Sequence, residues 1–496
     1  MSSHYKKLAQ RFLRLSHLEH ATTFLSWDQQ VMMPAGGNEN RSKAIAELAS
    51  IRHELLTDPK VFDELLLAEQ EGLSEVQQLS LAEIKVQYQQ ANCMPAKLVK
   101  AQSLATSRCQ HEWSSQRSNN DWQSFSVNLK EVVALSQEEA QIRQSVDAER
   151  YLTPYDAMLD LFSRGDSSPM IDDIFNRLKS DLPPLIQSIT DSQPSKIEPK
   201  GPFDLEQQKQ LSLTLMAGLG FDFNAGRLDV SSHPFSTGVR GDHRITTRYR
   251  ESEFKESLLA TAHETGHASY EAGLPADWDG LPVGQARSMS IHESQSLLFE
   301  KQIFLSDGFM SHFFPVIQQY LEPMRNVTLS DYRTQLLHVA PSLIRVEADE
   351  VTYPLHIIIR HEIERDLING AIGVDDIPEL WNQGMRNYLG LDTRGNYADG
   401  CMQDIHWPAG AFGYFPSYTL GALNSAQLFS KIRSQYPDWN ERLAQGDIQF
   451  ITQWLHEKIW QRASFESTSE LMVNATGSPT GADSFLTLIR ERYMGR

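Results

Sequence analysis

The chain of 496 residues is long enough for two or three domains or one large domain with a cleft. At 40% hydrophobic and 22% charged residues it can bury a sizeable core, and its 45 Lys and Arg against 64 Asp and Glu give a formal charge of −19. That balance argues against nucleic acid and against an anionic membrane surface as partners.

Residues 1–190 read mostly as helix. "YKKLAQRFLRLSHLEHATTFL" places Leu8, Phe12, Leu15 and Leu18 at helical spacing, and "VMMPAGG" then breaks the pattern at Pro34, Gly36 and Gly37. Further helical stretches are expected over roughly 40–57, 75–92, 121–148 and 169–190. The segment 191–202, "DSQPSKIEPKGP", has three prolines and a glycine and is the candidate linker. It would divide a helical lid half (1–190) from a catalytic half (203–496), with some terminal helices packing together across a groove between them. Past it a helix is expected at about 205–218. Val, Ile, Thr and Tyr then cluster around Gly238 and Gly241 in 227–250, which predicts a short β-hairpin or small sheet. Helices follow from 252 to the end. The expected fold class is mainly α with a minor β element, whose strand edge could pair with an extended substrate backbone.

Three cysteines, Cys93, Cys109 and Cys401, lie too far apart in sequence for a disulfide framework or a Cys-x-x-Cys zinc pair. With no signal-peptide-like apolar core and no run of eighteen apolar residues, they make the cytoplasm the expected compartment.

Immediately after the β element stands "ATAHETGHASY", residues 260–270. Between Leu258 and Tyr270 the only charged residue is Glu264, and Phe254, Leu258 and Ala262 supply an apolar face. The helix is expected to end at "EAGLP", with Gly273 in a left-handed cap and Pro275 beyond it. On such a helix His263 and His267, four positions apart, share a face and can present imidazole nitrogens to one ion. Glu264 is turned about 100° from His263, so it flanks the ion and can take the proton of a water the metal activates. The bland alternative is a pair of core histidines with Glu264 at the surface.

A hydrolytic zinc site usually takes a third protein ligand. The metzincin pattern would need glycine at 270 and histidine at 273, where Tyr270 and Gly273 stand, so that class is excluded. A carboxylate from a later helix is the remaining choice. Glu293 is favoured, although Ser290 and Glu293 would also make a capping box. Glu271, one turn beyond His267, is the rival.

Six motifs in order then carry a resemblance: "HPF" at His233–Phe235, "DHRIT" at Asp242–Thr246, "HETGH" at His263–His267, "HESQ" at His292–Gln295, "IRVEAD" at Ile344–Asp349 and "GCMQDIHW" at Gly400–Trp407. The chain resembles, nearly end to end, the M32 family of metallocarboxypeptidases typified by carboxypeptidase Taq. The resemblance implies His263, His267 and Glu293 as metal ligands and Glu264 as general base. It implies a helical clamshell with a long substrate groove and the metal at its floor. It also implies a homodimer that removes single amino acids from peptide C-termini with broad specificity. Zinc suits a His₂Glu set, and cobalt or manganese can substitute.

An exopeptidase must also hold its substrate's terminal carboxylate, for which a bidentate arginine is the natural group, and Arg345 and Arg244 are the candidates. The alternatives are a helical pair of Arg345 with Asp349 and a surface strand charge for Arg244. His406 and Tyr418 lie twelve positions apart, similar to the His and Tyr that stabilise the oxyanion in related helical zinc oligopeptidases. Tyr418 is therefore expected to donate to the oxyanion with His406 beside it, and Tyr414 to compete for the role or line the substrate groove. Gln403 and Asp404 are expected to orient a ligating histidine from behind, and His233 and His292 to be structural. Two rival functions are an endo-acting zinc oligopeptidase of similar build and a catalytically silent peptide-binding protein.

Overall fold

The structure, a computed structural model, describes residues 3–196 and 198–495. Its first helix, His4–Val31, turns Leu8, Phe12 and Leu15 into one buried stripe, with Leu18 half-buried. The helices Asn38–Thr57, Glu75–Asn92, Trp122–Val146 and Ser168–Ser192 follow where apolar periodicity places them. Ala96–Ser118 is also helical, without a broad apolar stripe in its sequence. It buries only Leu98, Ala105, Cys109 and Gln116, a strip too narrow for periodicity to single out.

The Pro-rich stretch after Ser192 joins parts of one core, which takes Leu178 and Leu182 from before it and Leu211 and Ile357 from after it. Within that stretch Ile197 lies outside the described residues. A smaller cluster packs Tyr5, Leu8, Phe12, Val61 and Ile84 against Leu281 and Val283. Among the described residues no helix is long and apolar enough to cross a membrane.

After the helix Leu205–Gly218 come three strands, β1 (Gly226–Val230), β2 (Phe235–Val239) and β3 (Asp242–Thr247). β3 is central, parallel to β1 and antiparallel to β2, so β2 is an edge. Arg240 and Gly241 form the two-residue hairpin turn, and Gly241, at its second central position, takes a positive φ of 80°, as in a type II turn.

The helix Lys255–Gly273 then crosses the interior. It buries Leu258, Ala262, Thr265, Gly266 and Tyr270 around its circumference, as expected of a helix enclosed on nearly all sides. Its end differs from the sequence reading. Gly273 is the last helical residue and Leu274 the cap, and no left-handed turn forms there. The glycine is there for space: a Cβ at 273 would come within 2.3 Å of the Trp460 ring.

Candidate metal centre

Three helices converge at the site. Met289–Leu297 packs against Lys255–Gly273 on one side and against Pro416–Gln435 on the other. Two glycines allow this closeness. A Cβ at Gly266, inside the His-Glu-x-x-His segment, would meet the Gln295 carbonyl oxygen at 2.6 Å and the Ser296 Cα at 2.7 Å. A Cβ at Gly421 would meet the Glu293 Cβ and Cγ at 2.6 Å. With hydrogen at both positions, the Glu293 carboxylate reaches the histidine face of the neighbouring helix.

There Glu293 Oε2 lies 3.7 Å from His263 Nε2 and 3.5 Å from His267 Nε2. One donor atom from each of the three residues falls within 4.8 Å of the other two. Ligand atoms at about 2.0–2.1 Å around a tetrahedral zinc are about 3.3 Å apart, so the donor set and its spacing fit that ion.

The two imidazoles are backed differently. His263 Nδ1 is 2.8 Å from Glu300 Oε2, and Lys301 Nζ is 2.6 Å from the other Glu300 oxygen. His267 Nδ1 is 2.6 Å from His292 Nδ1, whose Nε2 is 2.8 Å from Glu271 Oε1. The rival ligand Glu271 thus sits behind His292. Burial opposes the His263 cation, but Glu293 and Glu300 outweigh it and raise the group to about 9. Burial and the neighbouring His292 push His267 down to about 4. Burial opposes charge on Glu300 as well, yet Lys301 and His263 bring it to about 2. Glu264 is 7% exposed, and burial raises its carboxyl to about 7.

Most of the remaining candidates fall into a second cluster. Arg345 Nε and Nη2 donate to Asp404 Oδ1 at 3.0 and 2.8 Å, and Nη1 donates to Tyr353 Oη at 2.8 Å. Arg360 Nε donates to the other Asp404 oxygen at 2.6 Å. The guanidinium of Arg345 also lies 5.1 Å from the centre of the Tyr418 ring. His406 Nε2 and Tyr418 Oη share a hydrogen bond of 3.2 Å, and the Tyr414 ring is 5.2 Å from the Tyr418 ring. Burial pushes His406 down to about 4.

Several expectations need correction. Gln403 and Asp404 do not orient a ligating histidine. Gln403 accepts from the Arg345 amide and donates to the carbonyls of Leu343, Asp399 and Gly400, and Asp404 is taken up by the two arginines. The groups behind the imidazoles are Glu300 and His292, which the sequence reading either missed or left structural. Arg345 is not paired with Asp349, because it stands in a single 3₁₀ turn and Asp349 accepts from the amides of Ala340, Val351 and Thr352. Arg244 forms a bidentate pair with Asp242 and lies over the rings of Phe24 and Trp27 at 4.4 and 4.2 Å. His233 stands just before β2 and lines a groove of about 440 Å³ with Trp27 and Phe235.

Residues 7–493 match the family model described as carboxypeptidase Taq (M32) metallopeptidase. The chain belongs to the M32 family of metallocarboxypeptidases. It is 36% identical to thermostable carboxypeptidase 1 of Thermus thermophilus, over 99% of this chain and 98% of that protein. Identity to carboxypeptidase 1 of Bacillus subtilis is 34%, over 97% and 96%. The fold superposes on Trypanosoma cruzi metallocarboxypeptidase 1 with a TM-score of 0.96 at 38% identity, covering 99% of both chains. The mainly helical architecture with its small sheet is that of M32 carboxypeptidases; a metallopeptidase family implies a catalytic metal, and the His₂Glu cluster is the candidate site for it.

Proposed function

We propose that the protein is a zinc carboxypeptidase that releases single residues from peptide C-termini with broad specificity. The observation that carries this reading is the meeting of two imidazole Nε2 atoms from one helix with a carboxylate from another. His263, His267 and Glu293 would hold the zinc, which when bound would supply Lewis acidity to lower the pKa of a water and polarise a carbonyl. Glu264 stands beside His263, inside the protein. It takes the proton of the attacking water and hands it to the departing amine nitrogen. Tyr418, in hydrogen-bond contact with His406, donates to the negative charge growing on the carbonyl oxygen, and Tyr414 lines the groove beside it. The edge strand β2 would offer backbone groups to an extended peptide.

Arg345 and Arg244 are the guanidiniums proposed to hold the terminal carboxylate. Each must share its cation with an aspartate already bound, Asp404 for the first and Asp242 for the second. The Arg244 side chain is 21% exposed and that of Arg345 8%, so Arg244 is the more open to a ligand in this conformation. We further infer a homodimer in the cytoplasm, a reducing compartment consistent with the free Cys93, Cys109 and Cys401.

Peptides of identical sequence with free and amidated C-termini test the exopeptidase reading. The expected result is rapid release of the last residue from the free form and little turnover of the amide. Equal turnover of both would favour an endo-acting oligopeptidase, and binding without cleavage by zinc-loaded protein would favour a silent peptide binder. Replacing the true carboxylate clamp by lysine should raise KM for free peptides and reduce discrimination against amides, so Arg244→Lys and Arg345→Lys separate the two candidates.

A further inference from the structure

The helix that carries Glu293 does not stop at Leu297. It widens into a π-helix over Leu298–Phe304, a form concentrated at functional sites. Seven positions after Glu293, about two helical turns on, Glu300 returns to the side facing His263. One continuous helical run therefore holds the same imidazole at both nitrogens, with Glu293 3.7 Å from Nε2 and Glu300 2.8 Å from Nδ1.

Glu300 is itself fixed. Its second oxygen meets Lys301 Nζ at 2.6 Å, and the Glu300 side chain is 12% exposed. The backbone of the wide turn is held from the far end of the chain. Arg492 Nη2 donates to the Lys301 carbonyl at 2.8 Å and to Gln302 Oε1 at 3.0 Å. Arg492 Nη1 donates to both Glu350 oxygens, and Tyr493 Oη donates to one of them. A surface carboxylate that met His263 by chance would need none of this support.

We propose that Glu300 is a positioning residue for the metal. By accepting a hydrogen bond from His263 Nδ1–H, it fixes Nε2 as the coordinating nitrogen and strengthens it as a donor, while Lys301 balances its charge. A carboxylate behind a ligating imidazole does this in general, and its removal costs about 10–100-fold in metal affinity. His267 is served by a different device. With its Nε2 on the metal, Nδ1–H donates to His292 Nδ1 and the His292 Nε2–H donates to Glu271, so the tautomers are fixed along a chain. The proposal rests on His263 being a ligand.

The test measures zinc dissociation constants by chelator competition for wild type, Glu300→Gln and Glu300→Leu, together with the visible spectra of the cobalt forms. Glutamine keeps an acceptor for Nδ1–H and leucine does not. The expected losses are therefore graded, about 10-fold for Gln and approaching about 100-fold for Leu, with altered cobalt bands and unchanged helicity. Affinities of both variants within about two-fold of wild type would overturn the role of Glu300 and leave the metal site standing. A wild type that binds no zinc would overturn both. If the variants do not fold, nitrogen NMR of histidine-labelled, zinc-loaded wild type decides. Coordination of His263 through Nε2 with a proton on Nδ1 is the expected state, and coordination through Nδ1 contradicts the proposal.

Discussion

Gly266 lies so close to Gln295 that a methyl group at 266 would sit 2.6 Å from the Gln295 carbonyl oxygen. The spacing between the helix bearing both histidines and the helix bearing Glu293 is thus set by a hydrogen atom. Gly266→Ala should push the helices apart, at a cost of about 1–3 kcal/mol in stability. It should also weaken zinc binding, because Glu293 withdraws from the two Nε2 atoms. Urea unfolding and chelator competition measure the two effects, and unchanged zinc affinity would contradict the link between helix spacing and the metal.

Glu293 and Glu271 are separated by their surroundings. The first faces both imidazoles and the second receives His292 Nε2. Glu293→Ala is expected to lose zinc on gel filtration. Glu271→Ala should keep it with affinity reduced by about 10-fold, the usual cost of losing a supporting partner. Metal analysis of the two purified variants distinguishes them, and loss of zinc from the second alone would reverse the assignment.

Tyr418 is expected to act on the transition state and not on substrate binding. Tyr418→Phe removes one hydroxyl, with Arg345, Tyr353 and Tyr414 remaining to shape the wall. The variant should lose about 10²–10³ in kcat with KM nearly unchanged and full zinc content. A rise in KM at constant kcat would assign the hydroxyl to binding.

Glu364 gives a pH signature away from the metal. Tyr155 Oη, Trp407 Nε1 and the Gly413 amide donate to its carboxylate at 2.6, 3.1 and 3.2 Å, which ties the loop between His406 and Tyr414 to the helix Tyr353–Ile368. Burial raises the group from 4.5 to about 8 against the pull of these donors. The native state therefore keeps a proton that the unfolded chain has released. That stabilisation is full below about pH 4.5 and is lost as pH rises through about 8. One proton contributes at most about 1.4 kcal/mol per pH unit to the slope. Glu364→Gln cannot titrate, so its stability deficit relative to wild type should shrink between pH 5 and pH 9. Unfolding curves at pH 5, 7 and 9 read this, and a constant deficit would contradict it.

The sequence made legible whatever depends on local spacing. His263 and His267 share a face because they are four positions apart, and the small sheet is marked by β-branched residues around Gly238 and Gly241. Glu293 was legible only in part, since Ser290 and Glu293 also read as a helix start. The helix in fact starts with Ser288, whose side chain accepts from the Ile291 amide. Glu300 lay beyond reach because its partner is 37 positions away on another helix and a π-turn aims it. Asp404 was misplaced for a related reason: two arginines 44 and 59 positions earlier meet it only in the folded chain. Pattern reading finds residues that neighbour each other along one element, whereas packing decides who stands behind them.

The central claim is tested most directly by zinc content and peptide turnover measured on the same preparations of wild type and Glu264→Gln. The account predicts one zinc per chain in both proteins and a loss of several orders of magnitude in kcat for the variant. A fully active, zinc-loaded Glu264→Gln enzyme, or an active wild type without metal, would contradict it.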